Sequence, residues 1–280
     1  MRETIKNIRP LYILYSILRN WRIRLMTWKP TYSGIGLITD HVPSFMESER
    51  FNSAFLRALY HQHYFSIPDS WKNHVTCWAA EQGTKLEGDF VECGVAKGFT
   101  SKVILEYLGY SSARMCEKSK VWPWSCPDDG CLCHIDNQIS DEPKNKNFYL
   151  IDTYNGADPK LFTENDKNRH FDYPEMYEFV KEKFKRFPNV KVVKGSIPEV
   201  LSDLPIEKVA YIHIDMNYMI PEIAATNFFW PKMSKGAVMV LDDYGHQGFD
   251  EQRLAFDKFA EEKGVPILCL PTGQAIMVKN

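Results

Sequence analysis

Acidic residues that could bind a cofactor or a metal ion recur along this chain, each at the end of a short apolar run. They are Glu92, Asp152, Asp215, Asp242 and Asp243. Each apolar run is typical of a buried β-strand, and in an open α/β sheet the carboxyl ends of the strands line one ligand-binding crevice. The pattern therefore predicts that acids from distant parts of the sequence share one site.

The first of these acids begins a turn that contains two glycines. Residues 88–101 read Gly-Asp-Phe-Val-Glu-Cys-Gly-Val-Ala-Lys-Gly-Phe-Thr-Ser, so a strand ends at Glu92, and Gly94 and Gly98 precede a segment with helical spacing. Glycine lets the backbone approach a ligand that a Cβ would exclude, and free N–H groups at a helix start favour an anionic group. The turn indicates a nucleotide-binding βα unit in which Ser101 is a further candidate contact. An unliganded strand-to-helix turn would use the same residues.

The last three acids suggest a metal site. Asp215, Asp242 and Asp243 offer only carboxylate oxygens, which select Mg²⁺, Ca²⁺ or Mn²⁺ over zinc, and Mg²⁺ keeps positions open for water or substrate. A hydrated acidic rim is the alternative. His246, four residues after Asp242, is a second candidate at the same mouth, although a single histidine is more often a surface residue.

Apolar runs alternate with segments of helical spacing from Gly88 to the C-terminus, which predicts an α/β fold with a Rossmann-like, mostly parallel, doubly wound sheet. The predicted strands are 88–92, 148–152, 190–193, 209–214 and 237–241, followed by an antiparallel C-terminal hairpin of 265–270 and 275–278. The predicted helices are 100–108, 174–187, 221–230 and 250–262. Two further helices are expected before the sheet, one from Ser44 to about Tyr60 and one from Ser70, in which Trp71, Val75, Trp78 and Ala79 share a face.

The predicted domain organisation is a basic arm and connector over residues 1–42 and one domain over 43–280. Within that domain, residues 43–87 form a helical lid and residues 109–147 an insertion rich in Cys, Asp, Pro, Lys and Asn. The insertion contains Cys116, Cys126, Cys131, Cys133 and His134. This spacing has no Cys-x-x-Cys pair, so a loop with unused thiols is favoured over a structural zinc site.

Composition and charge exclude some functions. The chain has 280 residues, 44% hydrophobic and 25% charged, and seven cysteines, which is typical of a globular protein with reduced thiols in the cytoplasm. Its net charge of -2 divides into +6 over residues 1–30 and -8 over the rest, so the body is not a nucleic-acid binder. The arm is apolar on one side and basic on the other. It predicts either peripheral contact with the cytosolic face of a membrane or a dimer arm of a homo-oligomer.

Five segments together resemble the macrocin O-methyltransferase family. They are Asp-Phe-Val-Glu-Cys-Gly-Val-Ala-Lys-Gly (89–98), Ile-Asp-Thr-Tyr-Asn-Gly (151–156), Lys-Gly-Ser (194–196), His-Ile-Asp-Met-Asn-Tyr (213–218) and Leu-Asp-Asp-Tyr-Gly-His (241–246). The resemblance covers the chain from about Gly88 onward, and the order and spacing of the five segments are more specific than any one of them. The chain differs in having Asn217 where the family's first acidic motif usually has a second Asp, and in its Cys-bearing insertion.

The resemblance implies an enzyme that uses S-adenosylmethionine and a divalent metal, such as Mg²⁺, to methylate a hydroxyl of a sugar or glycoside. By that likeness, Glu92, Gly94 and Gly98 would hold the methionine part of the cofactor, Asp152 its ribose and Ser196 its adenine. Asp215, Asp242 and Asp243 would hold the metal, whose charge lowers the pKa of a hydroxyl. Asp215 is the first candidate for the base and His246 the second. The alternatives are a methyltransferase of small aromatic diols and a non-catalytic scaffold that binds glycan or membrane.

Overall fold

A seven-stranded sheet forms the centre of the structure, a computed structural model that describes residues 30–34, 36–60, 69–109, 146–166 and 173–280. The chain divides into two compact units, residues 1–44 and 45–280. In the first unit, β1 (Tyr32–Gly34) and β2 (Leu37–Thr39) form a small antiparallel hairpin. The expectations for the basic arm and for the insertion between 110 and 145, including its cysteines, lie outside the described residues.

The sheet of the second unit is mixed but mostly parallel. Its strands are β3 (Asp89–Cys93), β4 (Phe148–Asp152), β5 (Val190–Lys194), β6 (Val209–Ile214), β7 (Met233–Leu241), β8 (Leu268–Cys269) and β9 (Ala275–Val278). Their order across the sheet is β5, β4, β3, β6, β7, β9, β8, with β3 to β7 parallel and β9 antiparallel to both β7 and β8. The predicted fold class, including the C-terminal antiparallel hairpin, is confirmed.

Six α-helices accompany this sheet in the described residues. They are α1 (Glu49–Tyr60), α2 (Ser70–Thr84), α3 (Phe99–Leu108), α4 (Tyr177–Phe184), α5 (Met219–Phe229) and α6 (Asp250–Lys263). None of these helices is both long enough and apolar enough to span a membrane.

The helices cover both faces of the sheet because successive strand residues point to opposite sides. On β3, Phe90 packs in one apolar core and Val91 in the other. The first core contains residues of α1 to α4, and the second contains residues of α5 and α6. Near-continuous apolar strands are expected where both faces are buried, and all six residues of β6 are buried. The sheet is therefore doubly wound.

Several predicted boundaries differ from the structure. Ser44 begins a short 3₁₀ helix (Ser44–Glu47), and α1 starts after it, where the hydroxyl of Ser48 accepts a hydrogen bond from the backbone N–H of Phe51 at 3.3 Å. The helix expected over 174–187 is only Tyr177–Phe184. Of the residues expected to share a face of α2, Val75 and Ala79 are buried, whereas Trp78 is 42% exposed.

The C-terminal strands also differ from expectation. β7 begins at Met233, four residues before its predicted start. Gly236 has a φ of 84°, and the pairing with β6 is irregular at this point, but the strand continues on both sides of the irregularity. β8 has only two residues, since the N–H of Val265 bonds back to the carbonyl of Ala260 at the end of α6 and the N–H of Leu270 already belongs to the hairpin turn. Two hairpin strands were predicted correctly, but the length of the first was wrong.

Candidate functional site

The site lies where the order of the strands reverses. β3 is followed in sequence by β4 on one side, whereas its other neighbour is β6, and ligands of open α/β sheets bind outside the carboxyl ends of the strands at such a point. The N–H of Asp215 donates to the carbonyl of Cys93 at 2.8 Å, and the N–H of Gly94 donates to that of Ile151 at 3.0 Å. The ends of β3, β4 and β6 are thus joined directly by backbone hydrogen bonds.

The two glycines of the turn are required by contacts within the protein. Gly94 has a φ of 87°, and a Cβ there would lie 1.9 Å from the carbonyl oxygen of Asp215. Gly98 precedes α3 with a φ of 68°, and a Cβ there would lie 2.6 Å from the ring of Phe184. Glycine at these positions therefore lets β3 approach β6, and α3 approach α4.

Asp152 lies at the carboxyl end of β4 and closes this turn. Its Oδ2 accepts hydrogen bonds from the N–H groups of Val95 at 2.6 Å and Ala96 at 2.8 Å. Its Oδ1 accepts from the N–H of Tyr154 at 2.7 Å and from the hydroxyl of Tyr173 at 2.6 Å. The N–H groups that could have met an anionic ligand are therefore occupied by Asp152, which is 8% exposed.

A buried histidine connects this turn to the acidic cluster. Glu92 of β3 and His213 of β6 are opposite each other in register. The two nitrogens of the imidazole face carboxylates, with Nδ1 at 3.2 Å from Glu92 Oε1 and Nε2 at 3.4 Å from Asp242 Oδ1. Burial would lower the pKa of His213, but the hydrogen bonds to Asp242 and Glu92 raise it to about 10. The ring is therefore protonated at neutral pH and carries a positive charge between two acids.

Asp242 binds two further residues. The ammonium of Lys72, on α2, lies 2.6 Å from Asp242 Oδ2 and 4.0 Å from Asp243 Oδ1. The side-chain amide of Gln274, on the hairpin, donates to Asp242 Oδ1 at 2.9 Å. Burial would raise the pKa of Asp242, but Lys72 and His213 together hold it below its usual value. Asp242 is therefore ionised and joins α2, β6 and the hairpin.

Asp215 is close to these groups but in the opposite electrostatic environment. Burial, Asp242 and Asp243 raise its pKa well above the usual value. One ligand atom from each of His213, Asp215 and Asp242 lies within 4.8 Å of the others. Because the imidazole is protonated, the two carboxylates are the groups that could bind a metal ion, and His213 positions that of Asp242. The structure therefore brings two of the three predicted metal ligands together with His213, and Asp243 lies next to them in sequence.

The charges of this cluster suit a divalent cation. Glu92, Asp215, Asp242 and Asp243 offer four carboxylates, while His213 and Lys72 offer two positive charges. Burial is the main cause of the raised pKa of Asp215, and the negative charges of Asp242 and Asp243 raise it further. A divalent ion would offset the repulsion among these acids. The donor set thus fits the metal that the sequence predicted.

The turn that carries Asp215 is held by a second buried acid. Glu222, on α5, is 3% exposed, and its Oε1 accepts a hydrogen bond from the N–H of Met216 at 3.2 Å. Asn217 in the same turn has a φ of 65°. This position is the one at which a second Asp was expected by resemblance, and asparagine adopts a left-handed conformation more readily than most residues.

The remaining predicted residues lie on three different elements. Ser101 is in the first turn of α3, fully buried, and Ser196 follows β5, with its hydroxyl 3.4 Å from Asp158 Oδ2. His246 follows β7, and its ring is against Gly273 of the hairpin turn. Burial and Lys72 lower the pKa of His246, so it is neutral at pH 7.

Two buried polar atoms beside the glycine turn have no hydrogen-bond partner among the described residues. They are Glu92 Oε2 and the hydroxyl of Ser101. A buried polar atom without a partner costs roughly 1–3 kcal/mol, and a bound ligand with donor groups would remove this cost. These two atoms flank the same turn and fit a polar ligand there.

Sequence reasoning missed Lys72, His213 and Gln274. His213 had a local signal, since it lies two residues before Asp215 on a strand that pairs with β3 in register at Glu92. Lys72 and Gln274 had none, because they lie 170 and 32 residues from Asp242 in sequence. Only the packing of α2 and of the hairpin against β7 brings them to the site.

Comparison with known proteins gives an independent result. The model of the macrocin O-methyltransferase (TylF) family matches residues 135–268, slightly less than half of the chain. A comparison with curated proteins finds no match. The resemblance deduced from the five sequence segments is thus confirmed by the family model.

Solved structures share the fold. The O-methyltransferase NovP is 16% identical with a TM-score of 0.56, covering 77% of this chain and 82% of that one. CalS11, a calicheamicin methyltransferase also described as a TDP-rhamnose 3'-O-methyltransferase, is 15% identical with a TM-score of 0.55, covering 82% and 93%. A Staphylococcus aureus protein provisionally described as a caffeoyl-CoA O-methyltransferase is 12% identical with a TM-score of 0.51, covering 85% and 95%. The chain is thus similar to the macrocin O-methyltransferase family over residues 135–268, and it shares its fold with solved O-methyltransferases.

Proposed function

We propose that this protein transfers a methyl group from S-adenosylmethionine to a hydroxyl of a sugar or glycoside and that it requires a divalent metal ion, Mg²⁺. The observation that carries the proposal is the bridge from Glu92 through His213 to Asp242, with N···O distances of 3.2 and 3.4 Å. It puts the glycine turn and the acidic cluster in one crevice, as a transfer between a cofactor and a metal-held acceptor requires.

The cofactor would supply an electrophilic methyl group on a sulfonium. Glu92, Gly94, Gly98 and Ser101 are proposed to hold its methionine part. The unpartnered atoms Glu92 Oε2 and Ser101 Oγ support this assignment, because each could pair with a polar group of the ligand. The negative potential of the buried acids would also favour a cationic ligand.

Asp152 and Ser196 are proposed to contact the ribose and the adenine. Asp152 is at the carboxyl end of the strand next to β3, where a ribose is expected. Its carboxylate is already fully engaged, so a ribose hydroxyl would take the place of the Tyr173 hydroxyl, now 2.6 Å from Oδ1. The bonds from Val95 and Ala96 would remain and keep the turn closed.

Asp215, Asp242 and Asp243 are proposed as the metal ligands. When bound, the metal would lower the pKa of an acceptor hydroxyl. Asp215 is the first candidate for the base, because its carboxylate lies in the same group as that of Asp242 and could accept the proton of an acceptor hydroxyl held there. His246 is the alternative base, since it is neutral at pH 7 and can accept a proton.

The helical segment 43–87 is proposed to act as a lid over the site. Its helix α2 supplies Lys72, whose ammonium is 2.6 Å from Asp242, so this segment contributes directly to the acidic cluster. The lid would help to exclude water from the reacting groups, which strengthens the electrostatic interactions inside. A cytoplasmic location is part of the same proposal.

A sugar hydroxyl is favoured as the acceptor because CalS11 is named for a sugar nucleotide. CalS11 and NovP have the two highest TM-scores among the structures described above. The provisional caffeoyl-CoA name of the Staphylococcus aureus protein supports the aromatic-diol alternative. Both acceptors present hydroxyl groups that a divalent metal could bind, so the metal site does not separate them.

An assay of methyl transfer from labelled S-adenosylmethionine distinguishes these proposed functions. The protein is incubated with deoxysugar nucleotides, with sugar glycosides and with catechols, each with Mg²⁺ or with EDTA. We expect label in a sugar product, and loss of that label in EDTA. Labelling of catechols alone would favour the aromatic alternative, and full activity in EDTA would exclude the metal requirement. Cofactor binding without transfer to any acceptor would favour the non-catalytic scaffold.

A further inference from the structure

A groove outside the proposed catalytic crevice lies between α3 and α4. It has a volume of about 500 Å³ and is lined by Lys102, Phe179, Glu182, Lys183, Lys185 and Arg186. Four of these six residues are basic. Two acidic residues, Glu182 of the lining and Glu106 of α3, form ion pairs with these basic side chains.

The inner end of the groove has more cations than carboxylates. Glu106 pairs with Lys102, with Arg186 and, at 3.3 Å, with Arg57 of α1. Lys102 is only 1% exposed, so its charge is not screened by solvent. A single carboxylate thus faces three positive side chains.

Lys183 adds a fourth cation that is paired with no carboxylate in the described residues. Its ammonium donates to the backbone carbonyl of Lys97 at 2.7 Å. Burial, Lys102 and Lys97 lower the pKa of Lys183 to about 7, and burial lowers that of Lys102 to about 8. Burial and the neighbouring charge of Lys102 therefore disfavour the charged form of Lys183, and a bound anion would stabilise that form.

Glu182 does not compensate this charge. It pairs with Lys185 at 3.4 Å, and both side chains are more than 70% exposed at the rim. Phe179 is also at the rim and 43% exposed. The groove therefore combines a buried positive end with an apolar aromatic edge.

We propose that this groove binds a phosphate monoester, with Lys102, Lys183 and Arg186 contacting the phosphate and Phe179 contacting the organic part. A dianionic phosphate offers several acceptor oxygens to converging cations, and arginine pairs with it through two parallel hydrogen bonds. A carboxylate would bring half of the charge. The groove residues are different from the proposed methyl-transfer groups, and Lys183 links the groove to the glycine turn through the carbonyl of Lys97.

Thermal unfolding of the full chain tests this site without any measurement of activity. Inorganic phosphate and phenyl phosphate are added at constant ionic strength, with chloride as the reference salt. We expect both to raise the Tm, phenyl phosphate at lower concentration because of its ring, as expected for ligands that bind only the native state. In Lys183→Gln and in Arg186→Gln, the concentration required should rise at least tenfold.

Lys181→Gln is the matched control, because Lys181 is on the same helix, has the same charge and does not line the groove. It should respond to both probes as the unmodified chain does. Lys102 is left unchanged, since it is buried in the ion pairs that hold α3. A Tm that rises no more with phosphate than with chloride, or an equal loss of response in Lys181→Gln and Lys183→Gln, would overturn the proposal.

The phosphate could belong to a soluble metabolite or to a lipid headgroup, and vesicles separate these sources. We expect flotation with vesicles of phosphatidylcholine and phosphatidic acid to be the same for the unmodified chain and for Lys183→Gln, which identifies a soluble ligand. A loss of flotation in Lys183→Gln, with no loss in Lys181→Gln, would assign the same groove to a lipid phosphate.

Discussion

Asp215 and Asp242 are carboxylates at the mouth of one crevice, yet their neighbours give them opposite environments. Asp242 accepts from Lys72 and Gln274 and faces His213. The pKa of Asp215 is raised by burial and by the neighbouring acids Asp242 and Asp243. In the metal-free protein, one acid therefore stabilises the fold while the other opposes it.

The two Asp→Asn variants should accordingly differ in sign. In EDTA, we expect Asp242→Asn to lower the free energy of unfolding by about 3 kcal/mol, since it leaves the buried charges of Lys72 and His213 without a carboxylate. Asp215→Asn removes a like charge and should leave that free energy unchanged or raise it by up to about 1 kcal/mol. Urea denaturation followed by circular dichroism measures both. Equal losses in the two variants would show that Asp215 is also held by favourable contacts.

At the residue scale, the sequence predicted the acids but not their partners. An apolar run precedes each of four acids, so their position at strand ends could be predicted from the local sequence. They are Glu92, Asp152, Asp215 and Asp242. The partners are determined by tertiary packing. Lys72 lies on a helix whose apolar pattern does not predict which strand end the helix packs against. Asp152 was predicted as a free ligand for a ribose, and its hydrogen bonds to Val95 and Ala96 could be found only from the folded turn.

At the element scale, strands were predicted better than helices. β4 and β6 have the predicted bounds, 148–152 and 209–214, because a strand buried on both faces is a continuous apolar run flanked by polar residues. Helix α4 was predicted too long, since Pro174 suggested a first turn that the chain does not form before Tyr177. β7 was predicted too short, because the irregularity at Gly236 interrupts the apolar pattern without ending the strand.

The approach of β3 to β6 depends on one glycine, and this gives an element-scale prediction. Gly94→Ala should lower the free energy of unfolding by about 3 kcal/mol or more, because the new Cβ would lie 1.9 Å from a backbone oxygen that cannot move without separating the strands. The positive φ adds about 1 kcal/mol of strain. Urea denaturation at neutral pH measures the loss.

Gly264→Ala is the control for the strain alone. Gly264 ends α6 with a φ of 64°, and a Cβ there would have no atom within 4 Å. We expect a loss of about 1 kcal/mol, the cost of a left-handed conformation without a clash. If both variants lost the same free energy, the close contact between β3 and β6 would not be the reason for glycine at position 94.

At the scale of the whole molecule, the distribution of charge is the feature that the catalytic proposal does not use. Residues 1–30 carry +6 and the rest of the chain -8. A basic amphipathic arm is attracted to anionic headgroups by about 1 kcal/mol per Lys or Arg near the surface. Peripheral membrane contact would concentrate the protein where lipid-linked acceptors are available. Attraction of the arm to the acidic body of a second copy would explain the same asymmetry.

Vesicle flotation of the full chain distinguishes membrane contact from a dimer arm. With phosphatidylserine vesicles in low salt, we expect the protein to float, and we expect the variant with Arg19, Arg22 and Arg24 changed to Gln to partition about 100-fold more weakly, since three cations contribute about 3 kcal/mol. The control changes three exposed lysines of the body, Lys181, Lys208 and Lys258, to Gln. That variant loses the same charge but should float as the unmodified chain does, because its losses lie outside the arm. If no protein floats and the arm variant sediments as a monomer while the control remains a dimer, the arm is an oligomerisation element and the membrane proposal is wrong.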